Sequence, residues 1–170
     1  MNNIILIGFM GCGKTTVGKS IAKIKSMTFV DVDDYIEKKH LKKIKDIFID
    51  EGENTFRQYE YNAIISLSKN SNSIISTGGG AILNRENILN LKRSGIIFYL
   101  NSSKKIIKER LINERNNRPL LLEEEWEKKF DSLFDSRYTL YGKEADFIIN
   151  TDNKSVEEIS IEIINLMELK

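Results

Sequence analysis

An apolar strand that runs directly into a glycine-rich turn and then a helix is a strong local commitment to the α/β class. This chain makes it at once: Ile4 to Ile7 is followed by GFMGCGKTT, Gly8 to Thr16. The stretch satisfies GxxxxGK[ST] at every fixed position, in the strand-to-helix setting the motif requires. Glycine lets the backbone come close and adopt positive φ, so N–H groups around Gly11, Cys12 and Gly13 can wrap phosphates. The helix after the loop adds its positive N-terminal end. Lys14 is expected to reach the β- and γ-phosphates of a nucleotide, Thr15 to offer its hydroxyl to Mg²⁺, and Thr16 to complete the loop. Cys12 is expected to contribute its backbone amide, not its thiol.

The rest of the chain keeps the same rhythm. Short apolar runs (Asn3 to Ile7, Thr28 to Asp31, Ser73 to Thr77, Gly95 to Leu100, Phe147 to Asn150) alternate with segments of helical period. Those segments are Thr15 to Lys25, Asp34 to His40, Ile44 to Asp50, Asn54 to Ser68, Asn84 to Lys92, Ser103 to Leu111, Glu124 to Tyr141 and Ser155 to Glu168. Alternation of this kind predicts βαβ units around a parallel sheet, with ligands beyond the carboxyl ends of its strands. At 170 residues, without repeats or Gly/Ser linkers, the chain is expected to form one domain spanning 1–170. Twenty-six Lys and Arg balance 25 Asp and Glu to a net charge of +1, which gives no basic field for nucleic acid. One cysteine, no membrane-length apolar run and no leader-like start predict a cytoplasmic protein. No long apolar face is left unassigned, so a monomer is expected.

Several further motifs fall at strand ends. TFVDVDD closes the second strand with Asp31 and Asp33 two residues apart, so in extended backbone both point the same way. Phosphoryl transfer needs one carboxylate near the metal's water shell and one near the attacking hydroxyl. One aspartate must also cap the next helix, and Asp34 is the expected one. Arg57 and Glu60 stand three apart, close enough to pair on a helix. An arginine held in this way suits a substrate carboxylate, although a solvated surface arginine is the competing reading. STGGGA, Ser76 to Ala81, leaves bare backbone after the third strand, where a small molecule could lie against amides. Arg110, Arg115 and Arg118 surround a polar break ending in Pro119, as in a lid that closes over phosphates and expels water. Arg137, placed near a helix end, could equally serve the helix dipole. His40 in KKHLKK is expected to be a solvated surface residue, and Trp126 a half-buried helix anchor. No NKxD motif is present, which argues against a guanine switch.

As an ordered set, GxxGxGK[ST], DxD, DIF with GExxFR, GGG, RPLL and RxxLY resemble the shikimate kinase family, small P-loop kinases with a nucleoside monophosphate kinase-like fold. The resemblance spans nearly the whole chain. It implies a three-layer αβα fold with a five-stranded parallel sheet in the order 2-3-1-4-5. It also implies a shikimate-binding subdomain at about 32–60 and a mobile lid at about 112–124. The implied reaction moves the γ-phosphate of ATP to the 3-hydroxyl of shikimate, with Mg²⁺, on the route to chorismate and aromatic amino acids. Carried over by position, Asp33 would hold the shikimate hydroxyls and accept the proton of the attacking one, while Asp31 would contact the Mg²⁺ water shell. Arg57 and Arg137 would grip the carboxylate, and Gly78, Gly79 and Gly80 would line the ring. Arg118 would reach the transferred phosphate from the lid. Arg110 and Lys154 would lie against adenine, although Arg110 sits one residue further from RPLL than in some relatives and Lys154 stands where Arg is common. Two alternatives share the first motif: a kinase for gluconate or a nucleoside monophosphate, and a nucleotide-binding module without transfer activity.

Overall fold

The computed structural model describes residues 2–113 and 125–169. Five strands, β1 (Asn3–Ile7), β2 (Thr28–Asp31), β3 (Ser73–Ser76), β4 (Gly95–Asn101) and β5 (Phe147–Asn150), form one sheet in the order β2-β3-β1-β4-β5. Every neighbouring pair is parallel, with Ile4 opposite Ile74 on one side and Ile96 on the other. The central strand NIILI is buried along its whole length, because helices cover both faces and leave no wet side. Each of these isoleucines contributes about 1.5–3 kcal/mol through burial. Asn3, also buried, ties strand starts together: its amide donates to the Asn70 carbonyl and its Oδ1 accepts from the Ser73 N–H.

The helices are α1 (Lys14–Lys25), α2 (Val32–His40), α3 (Ile44–Asp50), α4 (Gly52–Leu67), α5 (Arg85–Ser94), α6 (Lys104–Asn113), α7 (Trp126–Glu144) and α8 (Val156–Glu168). The step from β1 to β2 through α1 runs one way along the sheet; the steps through α4, α5 and α7 run the other. Right-handed crossovers therefore put α1 on one face and α4, α5 and α7 on the opposite one. The C-terminal α8 packs on α1 and begins with a capping box in which Ser155 and Glu158 satisfy each other's backbone N–H groups.

The expected sheet order and strand positions match the structure, and the helix boundaries differ in instructive places. Extended backbone stops at Asp31, as expected, but α2 begins at Val32, two residues before the expected start at Asp34. The Asp31 carboxylate itself caps α2 by accepting from the Asp33 N–H, which corrects the assignment of the cap to Asp34. Asp33 therefore stands in the first helical turn, not beside Asp31 on a strand. Helix α7 continues to Glu144, because Trp126, Phe130, Phe134, Arg137 and Tyr141 form one buried stripe at helical spacing. An unforeseen 3₁₀ turn, Ala81–Leu83, comes after the triple glycine. Trp126 is more buried than expected, at the start of α7. His40 stacks on Tyr59 at 3.7 Å and is half-buried. Of the expected lid, residues 114–124 lie outside the described residues, and with them Arg115 and Arg118.

Candidate active site

At the carboxyl ends of β1, β2 and β3 opens a cleft of about 460 Å³. One end is the glycine loop. Gly11 and Gly13 have φ of 79° and 97°, the left-handed region that side chains rarely adopt. Gly13 is the N-cap of α1, and no side chain caps that helix, so its first N–H groups face the cleft uncovered. The Lys14 ammonium folds back over its own loop, donating to the carbonyls of Gly8 (2.8 Å) and Phe9 (3.0 Å). The Cys12 N–H makes a long bond to Phe9 at 3.3 Å, and its thiol is buried 3.7 Å from the ammonium. Phe9 anchors the loop to α7 through edge contacts with Phe130 and Phe134 at 5.4 and 5.3 Å.

Beside the loop, three oxygens gather. Asp31 Oδ2 accepts from the Thr15 hydroxyl at 3.1 Å and from the Ser76 hydroxyl at 3.0 Å. These are hard oxygen donors of the kind Mg²⁺ takes, and one carboxylate with a hydroxyl is the usual protein share when nucleotide phosphates supply the rest. Among the described residues no group of three or more His, Cys, Asp or Glu could hold a metal ion. Ser76 was not anticipated as part of this group. Its place directly before the triple glycine was the available signal.

The far side of the cleft is built by side chains. Asp33 from α2 and Glu60 from α4 converge on Gly78: a Cβ there would stand 2.8 Å from Asp33 Oδ1 and 3.1 Å from Glu60 Oε1. Both oxygens are buried without a hydrogen-bond partner among the described residues. Burial pushes the Asp33 carboxyl up to about 7, the charges of Asp31 and Glu60 push the same way, and Lys14 and Arg57 pull back. Glu60, wholly buried, is raised by burial against the pull of Arg57 and Arg137. Its other oxygen takes the Arg57 guanidinium at 2.9 Å, and Glu53 takes the same guanidinium at 3.0 Å. The fork of Arg57 lies over Gly80, where a Cβ would be 2.5 Å from both terminal nitrogens. Arg137, 8% exposed, is buried in α7 instead of complementing a helix end, and its Nε has no partner among the described residues.

The third side reaches the turn after β5. Arg110 of α6 donates to the Gly11 carbonyl at 3.2 Å, and Lys154 pairs with Glu162 at 2.6 Å; both line the cleft. Thr151, Val156 and Ile159 line it too and were not foreseen, because a threonine and two aliphatic residues carry no chemical signature in sequence. Of the anticipated residues, Gly11, Cys12, Gly13, Lys14, Thr15, Thr16, Asp31, Asp33, Gly78, Gly79, Arg110 and Lys154 share the cleft wall. Arg57, Gly80 and Arg137 are not part of that wall: Arg57 and Gly80 stand against each other, and Arg57 joins Arg137 in acting on Glu60. Arg118 lies outside the described residues.

Comparison with known proteins agrees with this geometry. The family model described as Shikimate kinase matches residues 10–168. A shikimate kinase of Thermodesulfovibrio yellowstonii is 45% identical over 168 residues, covering 99% of this chain and 96% of the relative. One of Caldanaerobacter subterraneus subsp. tengcongensis is 40% identical, covering 96% and 95%. Among solved structures, shikimate kinase from Acinetobacter baumannii in complex with shikimate superposes with a TM-score of 0.93 at 36% identity, over 99% of this chain and 94% of that one.

Proposed function

The chain belongs to the shikimate kinase family, and from that premise we propose how its own residues carry out the transfer of the ATP γ-phosphate to the 3-hydroxyl of shikimate. The observation that carries the reading is the cleft itself, with a phosphate loop at one end and Asp33 with the glycine turn at the other, where Glu60 stands close to Gly78 and Arg57 close to Gly80.

The N–H groups of Gly11 to Thr16 and the start of α1 take the ATP phosphates. Lys14 exchanges its loop carbonyls for β- and γ-phosphate oxygens. Thr15 would offer its hydroxyl to Mg²⁺ and Asp31, which also accepts from Ser76, would contact the ion's water shell; such an ion would supply neutralisation of the phosphate charge. Arg110 and Lys154 lie along the nucleotide. Arg57 and Arg137 grip the shikimate carboxylate, and Gly78, Gly79 and Gly80 form the floor under its ring, where a side chain at Gly78 would strike Asp33 and one at Gly80 would strike Arg57. Asp33 accepts the hydrogen of the 3-hydroxyl. As the new O–P bond forms, the bond from the γ-phosphorus to its bridging oxygen breaks, the proton stays on Asp33, and ADP carries the electron pair away. A carboxyl raised to about 7 is well matched to that task. Glu60 keeps Arg57 in place. Arg118 is assigned the cation that reaches the transferred phosphate. Together these roles describe a single domain over residues 1–170, with an acceptor-binding part at about 32–60 and a lid at about 112–124. The balanced charge and single cysteine support a cytoplasmic protein acting on small molecules, without nucleic acid or membrane partners, and the want of a long unassigned apolar run in the sequence supports a monomer.

A coupled ADP-release assay offering shikimate, gluconate and several nucleoside monophosphates tests the reading. Turnover with shikimate alone is expected; turnover with the others and none with shikimate overturns it.

A further inference from the structure

Helix α7 places a second polar group beside the acceptor floor. Tyr141 is 1% exposed, and its hydroxyl donates to the Gly79 carbonyl. Its ring stacks on Tyr99 of β4, with centroids 5.1 Å apart and planes at 25°. A phenylalanine would make the same stack and spare the cost of burying a hydroxyl, about 1–3 kcal/mol when unsatisfied. The hydroxyl therefore needs a reason that core packing does not supply. Gly79 provides one: a Cβ there would lie 3.6 Å from the Tyr141 oxygen, 3.4 Å from the Met10 nitrogen and 3.7 Å from the Gly8 oxygen. The middle glycine is thus held between α7 and the phosphate loop. Four residues earlier on the same helix, and so on the same face, is Arg137. Burial pushes the Tyr141 phenol upward, and the nearby Arg137 charge draws it back, so the two groups act on each other.

We propose that Tyr141 is a positioning residue for the acceptor, its hydroxyl locking the Gly79 carbonyl to the helix that presents Arg137, so that ring floor and carboxylate grip hold one geometry. This rests on the proposed role of Arg137 at the shikimate carboxylate. The hydroxyl's contribution is accordingly to acceptor binding, and it depends on the acceptor's carboxylate.

The test measures Tyr141→Phe and Arg137→Ala beside the parent protein, with shikimate and with the analogue carrying CH₂OH in place of the carboxylate. Tyr141→Phe is expected to raise the shikimate KM about tenfold, the size of one hydrogen bond, and to leave the ATP KM within about twofold. With the carboxylate-free analogue the same variant should lose less than about twofold, since the two deletions are then coupled. If Arg137→Ala raises the shikimate KM and Tyr141→Phe does not, the inference fails while the proposed acceptor site stands. If Arg137→Ala has no effect, the acceptor site itself is wrong, and the inference falls with it. An equal loss with both acceptors, a parallel rise in the ATP KM, or failure to bind ATP would make the hydroxyl a general structural prop and overturn the proposal.

Discussion

The two ends of the cleft are built by opposite means. At the donor end, groups from one contiguous stretch, Gly8 to Thr16, meet through backbone, and its two polar side chains at the start of α1 already have partners: Lys14 on two carbonyls, Thr15 on Asp31. At the acceptor end, side chains from α2, α4 and α7 meet the glycine backbone of the turn after β3, and three buried atoms, Asp33 Oδ1, Glu60 Oε1 and Arg137 Nε, have no partner among the described residues. Unsatisfied buried groups cost stability, and although Ser68 and Asn87 also carry one elsewhere, three gathered around one glycine turn make a place that a ligand can complete. The side chains of a loop that binds any nucleotide phosphate can find partners between turnovers, while its N–H groups stay open to the cleft. A pocket that must recognise one particular carboxylated polyol instead stands ready with its hydrogen-bonding groups unmatched.

The contrast predicts a hierarchy of effects. Replacing Lys14 by Met should reduce kcat/KM by about a thousandfold or more, since the ammonium neutralises charge on the group in flight. Activity within tenfold of the parent in a coupled assay would show that the donor end has been misread. Asp33→Asn should lower kcat by about 10²–10⁴ while ATP still binds in a calorimetric titration; a normal kcat would remove Asp33 from the chemistry.

In its proposed role, Asp33 should tie activity to pH. Because its carboxyl is raised to about 7, it is protonated, and unable to accept the hydroxyl's proton, below that value. The parent's kcat/KM should fall as pH drops through about 7, and the limb should vanish in Asp33→Asn. Stability runs the other way. A folded-state pKa above the ordinary 3.8 means the folded state binds the proton more tightly, so this group's contribution to stability declines as pH rises from about 4 to about 7. Asp33→Asn should therefore gain about 1–3 kcal/mol relative to the parent at pH 8, and little at pH 4. Thermal melts at the two pH values would expose any other pattern.

Smaller effects should come from the acceptor side. Arg57→Ala should raise the shikimate KM about 10- to 100-fold, the range for a hydrogen-bonded charge that keeps some water contact, and leave the ATP KM unchanged. Equal changes in both constants would break the division between the two ends. Gly80→Ala tests space alone, since φ at Gly80 is −95°, open to any residue. Its methyl would push the Arg57 fork aside and should raise the shikimate KM about threefold to tenfold. No change would mean the guanidinium moves freely and is not held for the substrate.

Most of the donor end was legible in sequence, because its groups are neighbours along the chain and the strand-loop-helix setting leaves one way to arrange them. The acceptor end was legible in its parts and not in their relations. Arg57 and Glu60 could be paired from helical spacing, and the structure shows that contact at 2.9 Å. That Asp33 and Glu60 face the same glycine could not be read, since they stand far apart in the chain on two separate helices. The helical placement of Asp33 was missed because TFVDVDD also reads as continued strand, and the cap that ends the strand is formed by Asp31 folding onto the next turn. Arg137 was ambiguous for a related reason: its distance from the helix end depends on where α7 stops, which the buried aromatic stripe determines.

Hydrophobic period, turn chemistry and the phosphate loop thus determined, from the sequence by itself, an α/β chain with its strands in these positions and a nucleotide site at its start. They could do so because each depends on residues within a few positions of one another. Which buried acid lacks a partner, which arginine is sequestered and which hydroxyl supports the glycine floor were decided by the tertiary structure. Burial and pairing are properties of the space between elements, and that space exists once α2, α4 and α7 have packed around the ends of the strands.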